Sequence, residues 1–265
     1  MPGSFVHIQC DEGIPMRRPL SIMRADASDG WIEVLFKIVG PGLRALANAN
    51  IGDALSIIGP IGNGFTLHED KPSPLLIGGG VGIPPMIFLV EHMLANRVAC
   101  EPLVLMGSEI EFPFDLTQSS ISTHWLSPGI STSIELLERW GICTRLASLA
   151  GFRGCYNGYV TDLARKYLDN LSSIERSKVE IFSCGPTPML LAVASLAVEY
   201  DLPCQVSLEE FMACAVGGCA GCTVEVLTDE GPAMKRVCVD GPVFEARSVF
   251  GPSLKGQSIH TDPYV

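Results

Sequence analysis

The chain of 265 residues carries 29 acidic against 18 basic side chains, a formal net charge of −11, and is 47% hydrophobic. That length allows one to three domains and a sizeable core. The acidic balance argues against a nucleic-acid partner and against an anionic membrane surface, both of which select Lys and Arg; solubility alone is the plainer account of it.

The first block, residues 1–70, reads as β-structure. Phe5–Gln9, Trp31–Val39 and Ala54–Ile58 are short apolar strands between Gly, Pro and Asp turns, which predicts an antiparallel sheet or β-barrel. No basic-plus-apolar leader opens the chain, so cytoplasmic residence is expected. Arg17-Arg18-Pro19-Leu20-Ser21-Ile22 sets an arginine fork beside a proline-stiffened strand, with a serine hydroxyl three residues on. That pattern suits a pyrophosphate and a flavin ring edge, or else a solvated arginine at a strand start. Gly40-Pro41-Gly42-Leu43-Arg44 feeds a short helix whose free N–H groups face a phosphate, unless it is an ordinary strand-to-helix turn. Gly59-Pro60-Ile61-Gly62-Asn63-Gly64 closes the block as a tight turn.

From 71 to 202 strands and helices alternate, the pattern of a parallel α/β sheet. Strands are expected at Leu75–Ile77, Leu103–Met106 and Val179–Ser183. Helices are expected at Pro85–Leu94, Ile134–Trp140, Thr161–Asp169 (capped by Thr161) and Pro188–Tyr200. Its most apolar stretch, Pro74–Leu94, is interrupted by four glycines and the pair Pro84-Pro85. A bilayer span needs roughly twenty unbroken apolar residues, so no membrane segment is expected. Gly78-Gly79-Gly80-Val81-Gly82-Ile83-Pro84 follows a strand and opens a helix; it fails G-x-G-x-x-G at Ile83, yet still lets a nucleotide approach a helix N-terminus. Cys184-Gly185-Pro186 repeats the strand–turn–helix arrangement, and two such turns define a ligand crevice, with Cys184 equally readable as a packed core thiol.

In the last block, residues 203–265, four of the ten cysteines fall as C-x4-C-x2-C (Cys214, Cys219, Cys222) with Cys238 following. This is the plant-type [2Fe–2S] ligand spacing. Small residues between the thiols let backbone N–H groups turn toward sulfur. A zinc knuckle, the rival reading, normally shows two short Cys pairs. Two strands (Thr223–Leu227, Arg236–Val239) and an irregular tail from Gly251 complete the expected module. The other six cysteines lie singly and read as buried reduced thiols.

In order along the chain, PGSFVHI, RRPLSI, GPGLRAL, GPIGNGF, LLIGGGVGIPPM, FSCGPTPML, EEFMACAVGGCAGC and VCVDGPVF resemble the ferredoxin-reductase-like electron-transfer subunits, most closely the iron–sulfur flavoprotein subunits of dihydroorotate dehydrogenase B. The resemblance spans nearly the whole chain. It implies an α+β multidomain fold: an N-terminal antiparallel β-barrel for FAD, a central parallel α/β nucleotide-binding domain, and a small C-terminal [2Fe–2S] module. It implies flavin contacts from Arg18, Pro19, Leu20 and Ser21, with Leu35, Phe36 and Lys37 along the ring and Gly42 and Leu43 on phosphate. NAD(H) is implied between Gly78, Gly79, Gly80, Gly82, Pro84 and the turn Cys184, Gly185, Pro186.

Three departures stand out. The family normally has β-structure before its PG-x-F-V segment; Leu43 stands where threonine is usual; and Ala147–Gly154 replaces an acidic-glycine stretch. The resemblance implies an FMN-containing dihydroorotate dehydrogenase catalytic subunit as partner, in a hetero-oligomer of two of each chain. It also implies substrate chemistry on that partner, since no acid–base dyad is visible here. Subunits of NADH-dependent ferredoxin:NADP oxidoreductases and soluble hydrogenases share the layout. A zinc-stabilised binding scaffold is the rival from another class.

Overall fold

The computed structural model describes residues 1–254. In the first block, β1 (Phe5–Gln9), β2 (Arg18–Asp26), β3 (Trp31–Val34) and β4 (Ser56–Ile61) form one antiparallel sheet in the order β3-β2-β1-β4, with α1 (Gly40–Ala47) between β3 and β4. Val6, Ile8, Leu20 and Ile22 alternate onto one face and pack with Leu46 of α1. The expected barrel is therefore an open sheet among the described residues, with β3 and β4 at its edges. Closure needs more than four strands, since about eight make the small barrels whose interior side chains can fill. The strand expected over Trp31–Val39 stops at Val34, and the one expected over Ala54–Ile58 lies two to three residues further on.

The central elements are β5 (Ser73–Gly79), α2 (Ile83–Ala95), β6 (Leu103–Gly107), β7 (Leu116–Gln118), β8 (Thr132–Ile134), α3 (Glu135–Arg139), β9 (Cys143–Ser148), β10 (Tyr156–Asn157), α4 (Val160–Asn170), α5 (Ser173–Arg176), β11 (Val179–Cys184) and α6 (Thr187–Glu199). β7 and β8 form a small hairpin ladder, so the helix expected from Ile134 begins one residue later, after a strand. α4 is capped at Tyr159 rather than Thr161: the Tyr159 N–H donates to the Asp162 carboxylate.

The last elements are β12 (Cys204–Ser207), β13 (Thr223–Thr228), β14 (Gly231–Arg236), β15 (Val243–Glu245) and α7 (Ala246–Leu254). The main sheet runs β10-β9-β6-β5-β11-β12-β15. Every neighbouring pair is parallel except β12–β15. A boundary at 202/203 thus cuts through one sheet, because β12 and β15 extend it beyond β11. The strand expected over Arg236–Val239 is instead β14, ending at Arg236 and paired with β13. Gly251–Leu254 is helical where irregular chain was expected; the rest of that tail lies outside the described residues.

Leu75, Ile77, Leu105, Val179 and Ile181 fill one side of the sheet against α4 and α6, while Leu76, Val104, Met106 and Phe182 fill the other against α2. Burial on both faces explains why these strands read as unbroken apolar runs.

Candidate cofactor sites

At the first site β2 presents Arg18 and α1 presents Gly42. A Cβ on Gly42 would stand 3.1 Å from Arg18 Nε and 3.2 Å from Cζ, so a side chain there would crowd the guanidinium. α1 opens at Val39 with no side-chain cap, leaving its first N–H groups without a side-chain acceptor. A guanidinium beside such a helix start concentrates positive potential where a pyrophosphate fits. Arg18 Nη1 also donates to the Met16 carbonyl at 2.6 Å, which holds the fork in place. Arg17 does different work: it donates to the Ser56 carbonyl and hydroxyl at 2.6 and 2.7 Å, tying β4 to its neighbours.

Pro19, Leu20 and Ser21 continue along β2, with Leu20 buried. Leu35 and Phe36 follow β3 and pack against two different apolar clusters, while Lys37 is exposed. Leu43 packs into the apolar cluster beneath the sheet, so its loss of a threonine hydroxyl is matched by apolar burial.

The second site lies where the chain reverses direction in the main sheet. From β5 the strands proceed outward through β6, β9 and β10, and β11 then returns to the opposite side of β5. Such a switch point opens a crevice at the carboxyl ends of the strands. The two turns after β5 and β11 interlock there. A Cβ on Gly82 would be 2.1 Å from the Cys184 carbonyl oxygen, and one on Gly79 2.3 Å from Met189 Sδ. Gly80 adopts φ +55°, which glycine tolerates and other residues rarely do. Gly78, Gly79, Gly82, Pro84, Cys184 and Gly185 are buried, whereas Gly80 and Pro186 are exposed. The structure thus brings all eight together, with the exposed two forming the accessible rim. Cys184 is 1% exposed, and burial pushes its thiol far above the ordinary range, the behaviour of a packed core thiol. Met189 fills the space between the two turns, a role that its place in FSCGPTPML did not announce. Its wedge position depends on contacts with a distant strand end, which no local pattern reveals.

The third site is the loop from Cys214 to Cys222, held by the β13–β14 hairpin. Ala215 (φ +55°), Gly217 (φ +78°) and Ala220 (φ +53°) wind it through left-handed conformations. The Cys219 N–H points at Cys214 Sγ and the Gly221 N–H at Cys219 Sγ, each at 3.4 Å. N–H groups of Val216 and Cys219 lower the Cys214 thiol to about 6, whereas burial and the neighbouring Cys222 raise Cys238 to about 11. Arg236 pins the loop by donating to the Gly217 carbonyl at 3.1 Å, and its own backbone N–H donates to Asp240. Cys222 and Cys238 are buried, Cys214 is half-buried and Cys219 exposed. Among the described residues no three or more His, Cys, Asp or Glu side chains converge as a ready metal-binding group. The donor chemistry nonetheless fits an iron–sulfur cluster: four thiols, inward N–H groups and no charged residue between Ala213 and Cys222. Of the six remaining cysteines Cys10, Cys184 and Cys204 are buried, while Cys100, Cys143 and Cys155 are only partly so.

Asn63 joins this module to the first sheet, donating to the Val239 and Asp240 carbonyls at 3.1 and 3.2 Å. The three sites therefore sit on one continuous framework.

The arrangement of sheets is that of the ferredoxin-reductase-like fold. A solved NADH-dependent reduced ferredoxin-NADP oxidoreductase superposes with a TM-score of 0.74 at 24% identity, covering 96% of this chain and 81% of that one. A ferredoxin-NADP+ reductase from Plasmodium falciparum superposes with a TM-score of 0.53 at 17% identity, over 78% and 82%. Residues 209–250 match the family model described as the iron-sulfur cluster binding domain of dihydroorotate dehydrogenase B. The dihydroorotate dehydrogenase B (NAD(+)) electron transfer subunit of Desulforamulus reducens is 34% identical over 94% of this chain and 86% of its own length. That of Caldanaerobacter subterraneus subsp. tengcongensis is 30% identical over 94% and 87%. The chain belongs to the family of dihydroorotate dehydrogenase B electron-transfer subunits.

Proposed function

We propose that this chain passes electrons between NAD(H), FAD and a [2Fe–2S] cluster on behalf of a dihydroorotate dehydrogenase catalytic subunit, in the route that makes orotate for pyrimidines. The observation that carries this reading is the Cys214–Cys222 loop, its N–H groups turned to sulfur, on the same framework as a switch-point crevice and an arginine–helix anion site. When bound, the flavin exchanges two electrons with the nicotinamide and one at a time with the cluster.

The chain's own residues bind and orient. Arg18 and the start of α1 hold the FAD pyrophosphate; Pro19, Leu20, Ser21, Leu35, Phe36 and Lys37 line the ring, and Gly42 leaves room for Arg18. The turns Gly78–Pro84 and Cys184–Pro186 receive NAD(H), with Gly80 and Pro186 at the rim. Cys214, Cys219, Cys222 and Cys238 ligate iron. Functionally the chain divides into a flavin block (1–70), a nucleotide block (71–202) and a cluster block (203–265), the last two sharing one sheet. The partner carries FMN, the assembly holds two of each chain, and it resides in the cytoplasm. No helix among the described residues is long and apolar enough to cross a membrane.

The structural likeness to the ferredoxin-NADP oxidoreductase favours a second reading, in which the same three sites serve a different electron acceptor. One experiment separates them. The purified chain should reduce artificial dyes with NADH, and should form orotate from dihydroorotate only when the FMN subunit is added. Turnover with ferredoxin but none with the FMN subunit would overturn the first reading.

A further inference from the structure

His7 is the one side chain among the described residues with two buried polar atoms that both lack any hydrogen-bond partner. It is 1% exposed and lies in the middle of β1. Strand alternation places it on the face of Phe5, opposite Val6 and Ile8. Phe5 shares an apolar cluster with Met212, Ala215, Cys222 and Cys238, so this face of the first sheet looks toward the cluster loop. Across the ladder His7 stands opposite Pro19 of β2 on one side and Ile58 of β4 on the other. Its ring lies near the backbone of Arg17 and of Met212, two residues before Cys214, close enough for both to favour the charged ring, yet neither contact has good hydrogen-bond geometry. Burial disfavours the charged imidazolium, leaving a neutral ring with one N–H to donate and one nitrogen to accept.

A buried polar side chain with neither nitrogen satisfied is costly, commonly about 1–3 kcal/mol. A leucine or phenylalanine would fill the same space without that cost. The position is intelligible if a group that moves on cluster binding completes its hydrogen bonds. Cys219 is exposed whereas Cys222 and Cys238 are buried, so the four thiols do not share one environment in this structure.

We propose that His7 is a positioning residue for the cluster loop, holding its root at Met212 against the β1–β2 ladder that carries the Arg18–Ser21 segment. In the closed loop its N–H donates to a carbonyl at that root and its other nitrogen accepts a loop N–H. It touches neither iron nor substrate. Its effect is on where the thiolates stand and how firmly they are kept, as outer-shell partners do for metal ligands. This inference rests on the cluster reading above.

The test uses the full chain reconstituted with FAD and cluster, comparing wild type with His7→Phe and His7→Gln. Three readouts are needed: iron release to a chelator, the electron paramagnetic resonance g-values of the reduced cluster, and FAD content. His7→Phe should release iron roughly 10- to 100-fold faster, the range found for outer-shell partners, with shifted g-values and unchanged FAD. His7→Gln, which keeps a donor and an acceptor, should restore the wild-type spectrum and most of the retention. His7→Leu replaces the Phe variant if the latter does not accumulate as flavin-loaded protein. Wild-type release rates and g-values in the apolar variant would overturn the inference. So would equal loss of iron and FAD in both variants, which marks a general packing role. Absence of a cluster in wild type would instead overturn the functional reading on which it rests.

Discussion

Arg18 crowds the place of a side chain at Gly42, with its Nε 3.1 Å from where a Cβ would stand. One residue lies on a strand and the other in the first turn of a helix, and their contact makes a cationic corner that neither element forms alone.

Two substitutions probe that corner. A charge-assisted arginine–phosphate contact is worth about 1.5–3 kcal/mol, so Arg18→Ala should weaken FAD binding by roughly ten- to a hundredfold. Gly42→Ala gains about 1 kcal/mol of helix propensity while pushing the guanidinium aside. Its melting temperature should hold or rise as FAD affinity falls. Equilibrium dialysis against FAD with parallel thermal melts checks both, and an FAD affinity unchanged in Arg18→Ala would refute the assignment.

At the nucleotide crevice the test is steric. Gly82 has φ −84°, open to any residue, so alanine there is excluded by the Cys184 backbone alone. Overpacking of this severity costs about 3 kcal/mol, or roughly 6–12 °C in melting temperature for a chain of this size. Gly82→Ala should also raise the KM for NADH in dye reduction. An unshifted melt and an unshifted KM would show that the two turns do not depend on each other.

The thiol of Cys184 gives a pH-linked prediction. Burial raises its pKa, so its thiolate is scarce at neutral and mildly alkaline pH. Cys204 is likewise fully buried and raised well above the ordinary thiol. Alkylation of native protein at about pH 8, read by peptide mass spectrometry, should leave both unmodified while unfolding exposes them. Rapid native labelling of Cys184 would place it in the crevice as an accessible group.

Replacing Cys214, Cys219, Cys222 or Cys238 singly with serine should lower the iron-to-protein ratio and spare most of the FAD. Iron analysis and the visible spectrum decide it. Unchanged iron in all four variants would dismiss the ligand set.

Glu180 supports a buried tie between the first block and the main sheet. It is 1% exposed and accepts from Gln205 Nε2 at 2.8 Å, and His68 Nδ1 lies 2.9 Å from its other oxygen. Gln205 in turn exchanges hydrogen bonds with the backbone of Thr66. Glu180→Ala leaves one N–H of the buried Gln205 amide without its acceptor, while the half-exposed His68 can turn to water, and should cost about 1–3 kcal/mol. Glu180→Gln, which keeps an accepting oxygen, should cost less; equal melting temperatures for the two variants would argue against the tie.

Much of the candidate site was legible because its residues are local in the chain. Cys214, Cys219 and Cys222 lie within nine residues, so the loop's small residues and thiols are read together. The glycine turns after β5 and β11 were likewise visible, since a buried apolar strand, a glycine run and a proline-started helix are adjacent in the chain. Helix and strand ends shifted by a few residues where neighbouring elements decided them, as at Ile134, whose backbone pairs with Leu116 instead of entering α3.

The sequence by itself determined the alternation of strands and helices in the central block, the C-x4-C-x2-C spacing of the thiols and the two glycine turns, because backbone propensity and side-chain spacing act over a few residues. Tertiary structure alone decided that β12 and β15 extend the nucleotide sheet, that four strands of the first block stay an open sheet, and that Arg17 braces β4 while Arg18 turns to α1. It also decided that Gly82 meets Cys184, 102 positions apart in the numbering, and that His7 is buried beside the backbone of Met212. Those outcomes depend on which distant surfaces exclude water together and which buried polar atoms find partners, and no short window of residues contains that information.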